Sequence, residues 1–192
     1  MPAAHGEHSP ASSSVPKILI AGVGNVLRQD DGFGVEVVLR LLEQGPLPEG
    51  VKAMETGIGG IHIVQELMDG YDALLLIDAV SRGGAPGQLY LLEADVEDIR
   101  TRSLDEQHDF LADMHYSNPT RTLMLAKALN VLPSQVYILG CETAAHDDFA
   151  LGLSPAVLDA VPPALDRIDA WVAQLSREKP DTVEETSAQD CF

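Results

Sequence analysis

Cysteine is nearly missing from this chain: Cys141 and Cys191 are the only two among 192 residues. One follows an apolar run and the other lies in a polar terminal stretch, so they form neither a disulfide framework nor a zinc-binding pattern. A reducing compartment, the cytoplasm, is the corresponding expectation. Long hydrophobic runs are missing as well. A membrane span needs roughly 18 apolar residues, and the strongest candidate, Ala73 to Val80, is interrupted by Asp78. Positive charge is scarce, with 12 Lys and Arg against 30 Asp and Glu, a net charge of −18. So acidic a surface repels phosphate backbones and excludes nucleic acid as a natural partner, while it tolerates a basic peptide or a metal cation. The first residues also lack the charged start and apolar stretch of a secretory signal.

What is present reads as one soluble α/β domain. Apolar residues make up 45 % and charged residues 22 %, ordinary for a globular chain long enough to bury a sizeable core. Residues 1–16 are small and polar and predict a disordered tail. Residues 176–192 (SREKPDTVEETSAQDCF) predict a second, acidic one. That tail holds two basic and five acidic groups, a net −3, which leaves −15 for the rest. The domain therefore spans 17–175.

Within it, Lys17 to Ala21 predicts a buried strand. A helix from Gly32 to Leu42 follows, with Val35, Val38, Leu39 and Leu42 on its inner face and Gly45 and Pro46 as its stop. Val51 to Glu55 predicts a weaker strand, and Ile61, Val64, Leu67 and Met68 recur at helical spacing. Ala73 to Val80 is the strongest strand. After the turn SRGGAPG, Gln88 to Leu92 predicts a fourth strand, too close to the third for a helical crossover and so its antiparallel hairpin neighbour. Asn118 to Leu129 predicts a helix with Leu123, Ala126 and Leu129 on one side, and Val136 to Gly140 a fifth strand. A last helix starts at Ser154 as cap, with Pro155 in its first turn, and runs to about Leu175. This alternation predicts a three-layer sandwich around a mostly parallel five-stranded sheet with one antiparallel hairpin neighbour.

In such sheets, sites collect beyond the carboxyl ends of the strands. Three polar features fall there. Asp78 is the clearest anomaly, a carboxylate in the run LLLIDAV. It is costly to bury unless paired, protonated or bound to a cation; the alternative is a strand-end Asp that caps a backbone turn or emerges into water. Asp30 and Asp31 follow the first strand. Either can sit in a helix's first turn through the dipole, and Asp30, one step earlier, is the better cap. His115 precedes a helix start in DMHYSNP. Two carboxylates and an imidazole make a plausible open site for a divalent ion such as nickel or zinc. The segment GVGN, with Gly22, Gly24 and Asn25, resembles the opening of a dinucleotide fingerprint, but Leu27 stands where the third glycine belongs, so no nucleotide is expected. Gly22 and Gly24, like Gly57, Gly59 and Gly60 after the second strand, are explained by tight strand-to-loop turns.

The residues also resemble a known family. GVGNVLRQDDGFGVEVV, METGIGGIHIVQEL, YDALLLIDAV with GGAPG, MHYSNPTRTLMLAKAL and GLSPAV are similar, in that order, to segments of the hydrogenase maturation proteases, over roughly Lys17 to Leu175. The resemblance implies an endopeptidase that removes a C-terminal extension from the large-subunit precursor of a nickel–iron hydrogenase after nickel insertion. It places the metal-contacting positions on Asp31, Asp78 and His115, which would face nickel supplied by the substrate, and leaves metal and carboxylate-base roles open among them. Many members carry Glu where this chain has Asp31. They also carry Asp where it has Glu55 and Thr where it has Ile58, so a role for Glu55 stays open. The alternative is a non-catalytic, metal-sensing chaperone or checkpoint that uses the same three residues without cutting.

Overall fold

The computed structural model describes residues 15–112, 119–144 and 150–178. Five strands make one sheet: β1 (Ile18–Val23), β2 (Val51–Gly57), β3 (Ala73–Val80), β4 (Leu89–Glu93) and β5 (Gln135–Glu142). Their spatial order is β2-β1-β3-β5-β4. The first three and β5 run parallel, and β4 is antiparallel to β5. Central position explains composition. β1 is buried along its whole length, and β3 is buried from Ala73 to Ile77, because helices cover both faces.

The helices are α1 (Phe33–Glu43), α2 (Gly60–Leu67), α3 (Leu104–Ala112), α4 (Pro119–Ala128), α5 (Pro155–Leu158) and α6 (Val161–Glu178). On one face, Ile18, Ile20, Leu75, Ile77 and Leu139 pack against α1, α5 and α6. On the other, Leu19, Ala21, Leu74 and Leu76 pack against α2, α4 and Phe110 of α3. The three-layer, mostly parallel α/β sandwich is as expected from the sequence.

Several details differ from the sequence expectations. The fourth strand is antiparallel, but its neighbour is β5, not β3. The turn after β3 passes over the end of β5, where the Gly87 N–H donates to the Glu142 carbonyl and the Glu142 N–H to the Gln88 carbonyl, each within 2.9 Å. That frees the flank of β3 for β5, which pairs with it from Ala73 to Val80. Val35 and Val38 are buried in α1 as expected, together with Phe33, Val37 and Leu41, while Leu39 and Leu42 are each 44 % exposed. The helix is apolar around more than half its circumference, so spacing alone leaves its rotation ambiguous. Likewise Ile63 replaces Ile61 and Met68 on the inner face of α2, and Leu129 is exposed beyond α4. The last helix divides at Asp159 and Ala160, just ahead of Pro162 and Pro163. Neither proline has an N–H to continue α5, and both fit the first turn of α6. Helix α6 runs on through Ser176 to Glu178. Residues 1–14 and 179–192, where the tails are expected, lie outside the described residues.

Candidate active site

The four parallel strands end side by side, and two glycines draw the chain after β1 tightly over that edge. Gly24 has φ +132°, and a Cβ there would stand 1.8 Å from the carbonyl oxygen of Asp31. A Cβ on Gly34 would stand 2.1 Å from the Ile77 carbonyl and 2.4 Å from that of Val23. Only hydrogen at both positions lets the 3-10 turn Gln29–Gly32 and the start of α1 sit directly on the ends of β1 and β3. The backbone N–H of Asn25 then donates to Oδ2 of Asp31 at 3.0 Å, while Oδ1 of Asn25 accepts from the Leu27 N–H at 3.0 Å. The loop after β2 joins the same edge, because the Gly24 N–H donates to the Gly57 carbonyl at 3.0 Å and Thr56 Oγ1 to the Gly22 carbonyl at 3.3 Å.

Strand alternation puts Asp78 on the face shared by Leu74 and Leu76, at the carboxyl end of β3. Its Oδ1 accepts from its neighbour's N–H, that of Ala79, at 2.9 Å. Ala79 lies within β3, so this bond closes no turn. Burial pushes the carboxyl up to about 7; the Ala79 N–H opposes this, and the negative charge of Asp31 adds to it. Among the described residues, hydrogen bonds engage Oδ2 of Asp31 and Oδ1 of Asp78. A buried carboxyl whose proton affinity is raised by burial and by the charge of a second carboxylate suits a cation or a retained proton.

His115 lies outside the described residues. Among the described residues, no cluster of three His, Cys, Asp or Glu side chains forms. Glu55 pairs in register with Gly22 and is exposed at the end of β2. Gly60 opens α2, and a Cβ there would stand 2.1 Å from Oγ1 of Thr122 in α4. It serves the packing of those helices.

The comparisons with known proteins agree on one family. The hydrogenase maturation protease profile matches residues 35–171. The chain belongs to the hydrogenase maturation proteases. It is 33 % identical over 163 residues to the hydrogenase expression/formation protein HupM of Azotobacter chroococcum, covering 85 % of this chain and 75 % of that protein. The fold is similar to the hydrogenase maturating endopeptidase HybD of E. coli, with a TM-score of 0.65 and 26 % identity over 83 % of this chain and 93 % of that one. It is also similar to a hydrogenase 2 maturation peptidase from a thaumarchaeon, with a TM-score of 0.60 and 34 % identity over 82 % and 98 %. The protein is therefore an endopeptidase of hydrogenase maturation. The profile begins at Val35, so Asp31 and its turn stand on geometry and on the sequence resemblance.

Sequence reasoning missed three residues that shape this protease's site. Gly34, hidden among other glycines, makes the closest approach of α1 to β3. Asp30 does not cap α1, and Ser154 does not cap α5 with its side chain. Instead Asp30 is 4 % exposed and accepts from Ser154 N–H at 2.6 Å, Ser154 Oγ at 2.9 Å and Ala144 N–H at 3.1 Å. It ties the turn beside Asp31 to the chain on both sides of residues 145–149. Glu142, 3 % exposed, accepts from the N–H groups of Arg82 and Gly83 at 2.8 to 3.0 Å and from the Tyr90 hydroxyl at 3.2 Å. It thereby pins the turn after Asp78. Burial pushes its carboxyl up, but those donors prevail and hold it below the ordinary range. The nearest thiol takes no part in chemistry. Cys141 is fully buried, and burial together with the Asp30 and Glu142 charges pushes it up to about 12.

Proposed function

We propose that this protease removes the C-terminal extension of a nickel–iron hydrogenase large-subunit precursor after nickel insertion, with Asp31, Asp78 and His115 facing the nickel that the precursor carries. The observation that carries the proposal is the pairing of Asp31 with Asp78 at the carboxyl edge, with Asp78 balanced near pH 7 between its charged and neutral forms. Such a carboxylate is poised between proton and metal: it yields its proton when a cation arrives, and the cation offsets the repulsion from Asp31. Asp31, aimed by the Asn25 N–H, supplies the second oxygen donor. Nickel held there supplies a Lewis acid beside the scissile carbonyl. When nickel has not been inserted, Asp78 keeps its proton or stands charged beside Asp31 without compensation, which makes the metal a recognition mark. The domain acts in the cytoplasm and spans 17–175, continued by α6 to Glu178. Membership in a protease family removes the footing of the non-catalytic alternative.

The test is co-expression with the precursor in nickel medium, followed by intact mass of the large subunit. Wild type should shorten it, and Asp78→Asn should leave it at full length. Full processing by the variant would remove Asp78 from the mechanism. Because the site is shared with the substrate's metal, the free protein should bind nickel only weakly. Tight stoichiometric binding in calorimetry would contradict the shared-site proposal.

A further inference from the structure

Beside the Asp31 turn lies a cleft of about 340 Å³ walled by Val26, Gln29, Gly32, Leu151, Leu153 and Leu158. It starts within one residue of the site on both sides. Val26 follows Asn25, whose N–H holds Asp31, and Gly32 follows Asp31 itself. We propose that this cleft is a substrate subsite, receiving one uncharged apolar side chain of the precursor peptide next to the scissile bond. The inference rests on the reading of Asp31 and Asp78 as the reacting site, and it names what flanks that site.

Three observations carry it. First, the walls are apolar yet open to water. Leu151 is 80 % exposed, Val26 48 % and Leu158 45 %. An apolar rim gathered at one end of an endopeptidase's candidate site is the surface from which a peptide side chain would gain most by displacing water. Second, the walls are fixed in advance. Gln29 is held at φ +48°, a left-handed conformation costly for its side chain, while its N–H donates to the Ala150 carbonyl at 2.9 Å. Arg28 and Ala150 form a parallel β-bridge, and the Asp30 carboxylate clamps Ser154 behind Leu153. A pocket whose two lips are tied together needs no ordering when the peptide arrives. Third, charge selects the occupant. The protein is strongly acidic, but among the described lining residues the one carboxylate, Glu36, is ion-paired with Arg40 at 2.9 Å. The cleft thus offers no free charge to a basic side chain. Its volume of about 340 Å³ admits an apolar side chain together with the peptide backbone beside it.

The test uses the whole protein and its nickel-loaded precursor. Leu151→Asp and Leu158→Asp place charge on the cleft wall without touching Asp31 or Asp78. Each should lower kcat/KM roughly 10- to 100-fold, chiefly through KM, as expected for losing an apolar subsite. Precursors with Lys placed on either side of the scissile bond should be poor substrates for the wild type, and one of them should be recovered by the Asp variants. Charge-swap rescue requires direct contact and would not follow from a general loss of structure. Wild-type kinetics in both variants would overturn the subsite while leaving the Asp31–Asp78 site intact, provided Asp78→Asn remains inactive. Full activity of Asp78→Asn would instead overturn the reading beneath it. Sedimentation of wild type and variants tests a competing occupant. A wild-type dimer that Leu151→Asp splits, with unchanged precursor preference, would assign the cleft to a second copy of the chain and refute the proposal.

Discussion

Replacing Asp78 by Asn removes a charge that the fold holds against its own preference, so the variant should be more stable at neutral pH even as it loses activity. The sign follows from the direction of the shift. The carboxyl titrates at 3.8 in the unfolded chain and at about 7 in the folded one. Folding therefore favours the protonated form. Below pH 3.8 both states are protonated and nothing is lost. Between 3.8 and about 7 the unfolded state sheds its proton first and stability falls, and above 7 the full penalty stands. At ~1.4 kcal/mol per pH unit the displacement amounts to about 4 kcal/mol, and solvent reaching one side of the carboxylate trims it to roughly 2–3 kcal/mol. For a chain of this length that corresponds to a rise in Tm of about 5–10 °C at pH 8. At pH 5.5 the gain should be about half as large, because the folded carboxyl is then mostly protonated. Thermal and urea unfolding at both pH values, in buffer containing EDTA, measure the effect; lower pH is avoided because the isoelectric point is near 4.4. A gain that is the same at both pH values, or a loss at pH 8, would refute the account of Asp78 as an uncompensated buried carboxylate. A gain in stability coupled to lost processing is the trade expected of a site kept charged for function.

Asp30→Asn should lower stability by about 1–3 kcal/mol in urea unfolding, because its amide turns a donor toward groups that already donate. Wild-type stability would show that the clamp on Ser154 is dispensable. Gly34→Ala should yield a misfolded or insoluble product, or one without processing activity, since its methyl would overlap the Ile77 carbonyl at 2.1 Å; a soluble, active Gly34→Ala would contradict the close approach of α1 to β3. Glu142→Gln should flatten the acid side of the stability profile. A carboxyl held low contributes stability above its ordinary value of 4.5 and loses it as pH falls through the lowered one. A wild-type minus Glu142→Gln difference in urea midpoint that is the same at pH 7 and pH 3 would count against this. Cys141 should resist alkylation in the native protein and react only after unfolding, read by peptide mass mapping. Native labelling at Cys141 would mean its environment opens to solvent.

Much of the fold was legible because β3 and β1 are apolar along nearly their whole length, a pattern that needs cover on both faces and so implies a parallel sheet between helices. What spacing could not supply was long-range. The rotation of α1 was ambiguous because Leu39 and Leu42 repeat as regularly as Phe33, Val37 and Leu41, and contact with β1 and β3 decides between them. Helix α3 left little trace: Leu104 is 72 % exposed, and Phe110 is its buried anchor among the described residues. The place of β4 depended on the turn at 81–88 crossing the end of β5, a matter of which carbonyls receive Gly87 and Glu142 and not of any local pattern.

The site divides along the same line. Asp78 could be read from sequence because its anomaly is local, one carboxylate in an apolar strand, and the structure adds the reason its proton is held: burial, with Asp31 beside it. The pair Asp30–Asp31 looked like two versions of one residue, and assigning the cap to the earlier one was reasonable by helix-dipole logic. The 3-10 turn sends the two carboxylates to different partners instead. Asp31 meets the Asn25 N–H six residues back, and Asp30 reaches Ala144 and Ser154, more than a hundred residues away in sequence. Adjacent acids thus divide the work. One presents an oxygen at the sheet edge, and the other fixes the loop that walls the cleft beside it. If that division is right, Asp31→Asn and Asp30→Asn separate by kinetics. The first should lower kcat with little change in stability, and the second should lower stability and raise KM, because loosening Ser154 releases Leu153 from the cleft wall. Identical kinetic and stability losses in the two variants would mean the turn acts as one unit and the division does not hold.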